Sequence, residues 1–144
     1  MFFRYHSMLN LNNYVNKNLI MNEARKKIIV ADDDQDILDI LKMILEVIGG
    51  YEVIVTTDGE SVYELLDETP DLILLDLWMS GKDGSEICKN IKAQKSTRDL
   101  PLILFSASKN IQEISRSAGA DDFIAKPFQM DDLLKKVDRL TGSG

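Results

Sequence analysis

The sequence has few of the residues that cross-link a chain or bind soft metal ions. Its 144 residues include one cysteine, Cys88, and one histidine, His6. A single cysteine excludes an internal disulfide and a metal site built from several thiolates. Cys88 lies three residues before Ile91, a helical spacing, so we interpret it as a small buried hydrophobe. His6 lies far along the chain from the main acidic run, so we assign it no metal-binding role.

Positive charge and long apolar runs are also scarce. The chain has 17 Lys and Arg against 24 Asp and Glu, a net charge of −7 that argues against a nucleic-acid surface. No run of about 18 apolar residues occurs, so we predict no membrane-spanning helix. The first 21 residues contain asparagines in place of the apolar core of a secretion signal. We therefore expect a cytoplasmic protein that binds neither nucleic acid nor membrane.

Short apolar runs alternate with helix-like segments from Lys26 onward. Between the runs, residues 36–49 place isoleucine and leucine every three or four positions, as in an amphipathic helix, and four later segments repeat this pattern. The apolar runs cover residues 28–31, 51–56, 71–76, 100–105 and 121–126. Five strands that alternate with helices predict an α/β fold, a doubly wound five-stranded parallel sheet with helices on both faces. A closed (β/α)8 barrel needs far more chain.

Polar residues follow four of the predicted strands. The first strand is followed by Asp32 and Asp33, the third ends at Asp76, the fourth is followed by Ser106, and the fifth ends at Lys126. The carboxyl ends of parallel strands open on one edge of the sheet, so we expect these side chains to converge. Each residue alone is ordinary at a strand end. Their joint occurrence predicts a site.

The chemistry of these residues favours a divalent cation. Crowded carboxylates repel one another and bind protons or a metal ion, and Mg²⁺ prefers hard oxygen ligands. We expect Asp33 and Asp76 to bind Mg²⁺ directly, Asp32 to act through a water, and a backbone carbonyl beyond Asp76 to complete the set. Lys126 balances the remaining negative charge. Asp76 is then placed to attack a phosphoryl group and form an acyl phosphate.

These motifs resemble the receiver domain of two-component response regulators. The likeness covers about residues 26–141 and rests on IIVADDD, on DLWMSGKDG, on Ser106-Ala107 and on Lys126-Pro127-Phe128. It implies a flavodoxin-like (βα)5 topology with strand order 2-1-3-4-5. It also implies a phosphoacceptor signalling protein rather than an enzyme in the usual sense.

The resemblance further implies a role for each matching residue. Asp76 would accept a phosphoryl group from a phosphohistidine of a histidine kinase or phosphotransfer protein, or from a small donor such as acetyl phosphate. Asp32, Asp33 and the carbonyl of Trp78 would bind Mg²⁺ together with Asp76. Ser106 and Lys126 would bind the phosphate oxygens, and the Lys126–Pro127 bond would be cis.

A conformational switch is part of what the resemblance implies. Phe123 matches the position of the family's switch aromatic, and Ser106 would move toward the phosphoryl group. The altered surface would comprise the fourth helix, the fifth strand and the fifth helix. This surface would bind a downstream protein, or a second copy in a phosphorylation-dependent dimer.

Two positions depart from the family's pattern. Ser80 stands where proline is usual, from which we expect a looser loop after Asp76. Trp78 is bulky at a position that shapes the access of water to the phosphoryl group, so we expect altered dephosphorylation.

Three alternatives share part of this signature. A haloacid-dehalogenase-type phosphatase needs a second acid two residues after its nucleophile, where this chain has Trp78. A flavodoxin-type FMN carrier needs a hydroxyl- and glycine-rich loop after the first strand, where this chain has ADDDQD. A degenerate receiver would lack one of the acids or the lysine.

The sequence outside the receiver pattern is short. We divide the chain into an N-terminal extension (1–25), the receiver (26–141) and a C-terminal tail (142–144). The extension contains six asparagines, and we expect it to be disordered or to pack on a partner or a second copy. No output-domain pattern follows Leu140, so we expect a stand-alone regulator or a receiver cut from a longer chain.

Overall fold

Five parallel strands form the central sheet of the computed structural model, which describes residues 25–142. Their order is β2-β1-β3-β6-β7, and every pairing between neighbours is parallel. In chain order the strands are β1 (Lys27–Ala31), β2 (Glu52–Thr56), β3 (Leu72–Asp76), β4 (Trp78–Met79), β5 (Lys82–Asp83), β6 (Leu102–Ser106) and β7 (Asp122–Ala125). Numbering only the strands of the main sheet gives 2-1-3-4-5, so the predicted fold and strand order are confirmed.

Helices connect the strands of the sheet. They are α1 (Gln35–Met43), α2 (Ser61–Leu65), α3 (Gly84–Ala93), α4 (Ile111–Ala118) and α5 (Met130–Thr141). The α1 helix continues as a π-helix (Ile44–Ile48), and α2 as a 3-10 turn (Leu66–Glu68). Within the described residues, no helix is long and apolar enough to cross a membrane.

The first helix differs from the single α-helix predicted for residues 36–49. Asp34 caps its start by accepting a hydrogen bond from the Asp36 N–H. Its last turn is wider, since the Gly49 N–H donates to the Ile44 carbonyl five residues earlier. Ile44 and Leu45 both stay buried in this wider turn. Apolar periodicity indicates a helix but does not distinguish α from π geometry.

Each face of the sheet has its own hydrophobic core. Alternate residues of β1 point to opposite faces, so Ile28 and Val30 join the core beneath α1 and α5, whereas Ile29 joins the core beneath α2, α3 and α4. All five residues of β3 are buried. Burial on both faces explains why this central strand reads as an almost continuous apolar run.

The register of the sheet brings the ends of β1 and β3 together. Ala31 of β1 pairs with Leu75 of β3, so Asp32 and Asp76, the next residues of the two strands, are neighbours. On its other side, Asp76 pairs with Phe105 of β6. The geometry of the sheet alone therefore sets two carboxylates side by side.

Gly84, the first residue of α3, packs against the backbone of the strand end. A Cβ atom added there would lie 2.2 Å from the Asp76 carbonyl oxygen and 3.1 Å from the Leu77 Cα. The Gly84 N–H also donates to the Leu77 carbonyl at 2.6 Å. Only glycine allows α3 to begin so close to Asp76.

Replacing Gly84 by alanine should lower the free energy of unfolding by about 1–3 kcal/mol, because the new methyl group overpacks the backbone of Asp76 and Leu77. Alanine usually stabilises a helix relative to glycine, so the expected sign is opposite to the ordinary one. Urea denaturation of Gly84→Ala beside Gln112→Ala, an exposed control in α4, measures the difference. A Gly84→Ala protein as stable as the parent would contradict the proposed close contact.

Candidate functional site

Three carboxylates meet at the carboxyl edge of the sheet. Asp32 and Asp33 follow β1, and Asp76 ends β3; one oxygen from each lies within 4.8 Å of the others. Asp32 and Asp76 are buried, with 1% and 6% of their surface exposed, whereas Asp33 is exposed. The Asp34 N–H donates to Asp32 Oδ1 at 2.9 Å and fixes that carboxylate. The site is thus two buried acids with a third at the solvent edge.

Lys126 joins the two buried acids from the end of β7. Its ammonium donates to Asp32 Oδ2 at 2.9 Å and to Asp76 Oδ1 at 3.2 Å. The same nitrogen lies 4.5 Å from the centre of the Phe105 ring. The Lys126–Pro127 peptide bond is cis, as predicted.

The charges of this cluster do not balance. Burial, reinforced by the charge of Asp32, raises the pKa of Asp76 to about 6, although Lys126 opposes the change. For Lys126, burial alone would lower the pKa of the ammonium. The hydrogen bond to Asp32 and the negative charges of Asp76 and Asp32 have the larger effect, so the pKa of Lys126 is raised overall. One ammonium therefore does not offset the crowding of the carboxylates, which is the situation that a bound dication relieves.

Ser106 and Phe123 lie on β6 and β7, the two strands on the far side of β3 from β1. Ser106 is the last residue of β6 and pairs with Ala125, and its hydroxyl oxygen accepts a hydrogen bond from the Ser108 N–H at 3.0 Å. Phe123 lies in β7 opposite Leu104 and is half-buried. Ser106 is therefore at the same sheet edge as the acids, whereas Phe123 lies three residues before Lys126 along its strand.

Phe123 is held by a lysine from the last helix. The Lys136 ammonium lies 4.8 Å from the centre of the Phe123 ring and donates to the Phe123 carbonyl at 2.6 Å. It also lies 3.6 Å from carboxylate oxygens of Asp122 and Asp132. The sequence pattern does not predict this contact, because nothing in the spacing of α5 sets Lys136 apart from Lys135.

The segment after Asp76 forms a β-hairpin in place of the looser loop that we expected. Trp78 of β4 pairs with Asp83 of β5, and the residue is 62% exposed. The backbone N–H of Ser80, in the turn, donates to Asp33 Oδ2 at 2.9 Å. Sequence reasoning missed this contact, although Ser80-Gly81 is a dipeptide typical of turns.

Cys88 has no part in the site. It is buried in α3, and its thiol donates to the Ala118 carbonyl at 3.5 Å. Burial raises the pKa of the thiol to about 11, so it stays neutral at physiological pH. Its interpretation as a small buried hydrophobe is confirmed.

Comparison with known proteins identifies the family. The sequence model of the response regulator receiver domain matches residues 28–138. The chain therefore belongs to the receiver domains of two-component systems.

Solved receiver structures resemble the whole described fold. The receiver domain of NtrX from Brucella abortus is 35% identical, with 81% of this chain and 99% of that one covered and a TM-score of 0.70. The receiver of sensor histidine kinase PA1611 from Pseudomonas aeruginosa PAO1, described with a magnesium ion coordinated in its active site cleft, is 28% identical over 83% and 100% of the two chains, with a TM-score of 0.73. The chemotaxis protein CheY4 of Vibrio cholerae is 26% identical over 81% and 99%, with a TM-score of 0.72.

The raised pKa of Asp76 makes the stability of the cation-free protein depend on pH. Above pH 6 the folded state holds an ionised, buried carboxylate that the unfolded state holds in water, and this destabilises the fold. As the pH falls from 6 to below 3.8 both states become protonated at Asp76, and the destabilisation disappears. Asp76→Asn should therefore raise the free energy of unfolding by roughly 1–3 kcal/mol at pH 7.5 without divalent cations.

Urea denaturation of Asp76→Asn at pH 7.5 and at pH 4.5 measures this effect, and its gain over the parent should be smaller at pH 4.5. Asp99→Asn removes an exposed carboxylate and should show no such change. An Asp76→Asn gain that did not decrease at the lower pH would contradict the assignment.

Proposed function

We propose that this chain is a phosphorylation-activated receiver in which Asp76 accepts a phosphoryl group from a phosphohistidine of a sensor kinase or phosphotransfer protein. The observation that carries the proposal is the ammonium of Lys126, which bridges Asp32 and Asp76 beside a third carboxylate. Three acids around one lysine fit a site that binds a dication and a phosphate group together.

Mg²⁺ is the cation that fits this set of donors. Carboxylate oxygens from Asp32, Asp33 and Asp76 lie close enough to share one ion, and the backbone carbonyl of Trp78 is proposed as a further ligand. The magnesium ion described for the PA1611 receiver supports the same choice here. When bound, Mg²⁺ would offset the charge of the carboxylates and of the incoming phosphoryl oxygens.

The chain's own residues would perform the transfer. An ionised oxygen of Asp76 attacks phosphorus, the phosphorus–nitrogen bond of the phosphohistidine breaks, and the imidazole leaves with the electron pair of that bond. The product is an acyl phosphate on Asp76. Lys126 already contacts Asp76, so its ammonium can donate to a phosphoryl oxygen without crossing the site.

Phosphorylation would then change the neighbouring surface. The new group adds about −1.5 to −2 charges and several acceptor oxygens. We propose that the hydroxyl of Ser106 leaves the Ser108 N–H to donate to one of them, and that Phe123 turns into the space vacated. The surface formed by α4, β7 and α5 would change with it and bind a protein target or a second copy of the chain.

The proposed unit of function is residues 26–141, acting in the cytoplasm. The N-terminal extension falls almost wholly outside the described residues, and its expected disorder or packing remains a prediction. The bulk of Trp78, two residues after Asp76, supports a further expectation, that water reaches the phosphoryl group differently than in receivers with a small residue there.

Acetyl phosphate and Mg²⁺ should add one phosphoryl group to the parent protein, as read from its intact mass. Asp76→Asn should take up none, because its amide lacks the nucleophilic oxygen, and removal of Mg²⁺ by a chelator should abolish labelling of the parent. Asp99→Asn, an exposed control, should be labelled like the parent. Equal labelling of Asp76→Asn would disprove the assignment and favour a chemistry other than that of a receiver.

The fluorescence of Trp78, the only tryptophan, should report binding at the neighbouring acids. We expect its emission to change on addition of Mg²⁺ and again with beryllofluoride, a phosphoryl mimic, because both alter the charge beside β4. Asp33→Asn should require a higher Mg²⁺ concentration for the same change. The absence of a response to either addition in the parent would count against a metal site there.

A further inference from the structure

The turn of the β4–β5 hairpin has a backbone conformation that proline cannot adopt. Met79 pairs with Lys82, so only Ser80 and Gly81 form the turn, and their φ angles are +48° and +80°. Two-residue turns with positive φ at both positions match the twist of antiparallel strands. Proline is fixed near −65°, so this turn requires a residue other than proline at position 80.

The same turn contacts the acidic cluster through its backbone. The Ser80 N–H donates to Asp33 Oδ2 at 2.9 Å, across 47 residues of sequence. A proline at this position would have no N–H to donate. The contact therefore depends on two features that proline lacks: a positive φ angle at position 80 and a backbone N–H.

Asp33 has fewer contacts that fix its side chain than Asp32 or Asp76. Asp32 is fixed by Lys126 and by the Asp34 N–H, and Asp76 is held by Lys126 within a buried strand end. Asp33 is exposed, and within residues 25–142 the hydrogen bond recorded for its carboxylate is the one from Ser80. Without that bond its side chain would be free to rotate in water.

We propose that Ser80 is a positioning residue for the metal site, whose backbone N–H orients Asp33 before the cation binds. The hydrogen bond occupies one carboxylate oxygen and leaves the other for the ion. Fixing a ligand in advance lowers the entropy lost on binding. The inference rests on the proposed function, because it takes Asp33 as an Mg²⁺ ligand.

The decisive change removes the amide hydrogen and leaves the side chain in place. Substituting the α-hydroxy acid analogue of serine at position 80 turns the N–H into an ester oxygen. Ser80→Pro removes the N–H and the turn together, whereas Ser80→Gly keeps the N–H and suits the positive φ. Mg²⁺ affinity is measured by NMR titration of the isotope-labelled full chain, whose amide shifts also show that each variant is folded.

The ester and Ser80→Pro should each raise the Kd for Mg²⁺ by about 10-fold, the lower end of the loss usual for a group that orients a metal ligand. Ser80→Gly should bind Mg²⁺ within about twofold of the parent, because it keeps the backbone N–H that orients Asp33. An ester variant with the Kd of the parent would overturn the proposal.

A double-mutant cycle tests whether Ser80 acts through Asp33. In an Asp33→Ala background, the ester should add no further loss of affinity, because the side-chain acceptor that the Ser80 N–H orients is absent. The same loss in both backgrounds would mean that the hairpin acts on the site by another route, and would also overturn the proposal. Failure of the parent to bind Mg²⁺ would instead refute the proposed function, so the two failures are distinguishable.

Discussion

The crowding of Asp32 and Asp76 around one ammonium is the constraint on which the rest of the site depends. Parallel pairing of β1 with β3 forces the two carboxylates together, and burial removes much of the water that would screen them. Lys126 holds the pair, but the pKa of Asp76 is still raised to about 6. The fold therefore keeps an excess of negative charge at the carboxyl edge of the sheet. The Mg²⁺ ion of the proposed function would offset that excess.

The apolar cores on both faces of the sheet stabilise the fold and so offset the destabilising effect of the crowded charges. The strand that ends in Asp76 is buried along its whole length, so its position is fixed by packing and not by the charges at its tip. Gly84 completes the arrangement by letting α3 begin against the Asp76 backbone. The nucleophile proposed here is thus rigid, whereas Asp33, at the exposed rim, depends on a local hydrogen bond.

The features predicted correctly from the sequence are those that follow from the positions of its apolar runs. Apolar runs located the five strands, and parallel topology then placed Asp32, Asp33, Asp76 and Lys126 on one edge, because every strand of such a sheet ends on the same side. The hairpin after Asp76 was missed, since strands of two residues carry no periodicity. Its contact with Asp33 involves a backbone N–H, which residue identity does not reveal.

One ammonium ties the aromatic ring of β7 to the last helix. Lys136 contacts the Phe123 ring and its carbonyl oxygen while it pairs with Asp122 and Asp132. Arg139 of α5 also pairs with Asp122 of β7, so two cations join the strand to the helix. A rotation of the Phe123 ring alone would remove the cation–π contact but leave the bond from Lys136 to the Phe123 carbonyl in place. The aromatic ring can therefore turn about its own bonds while β7 and α5 stay joined through charged side chains and the backbone.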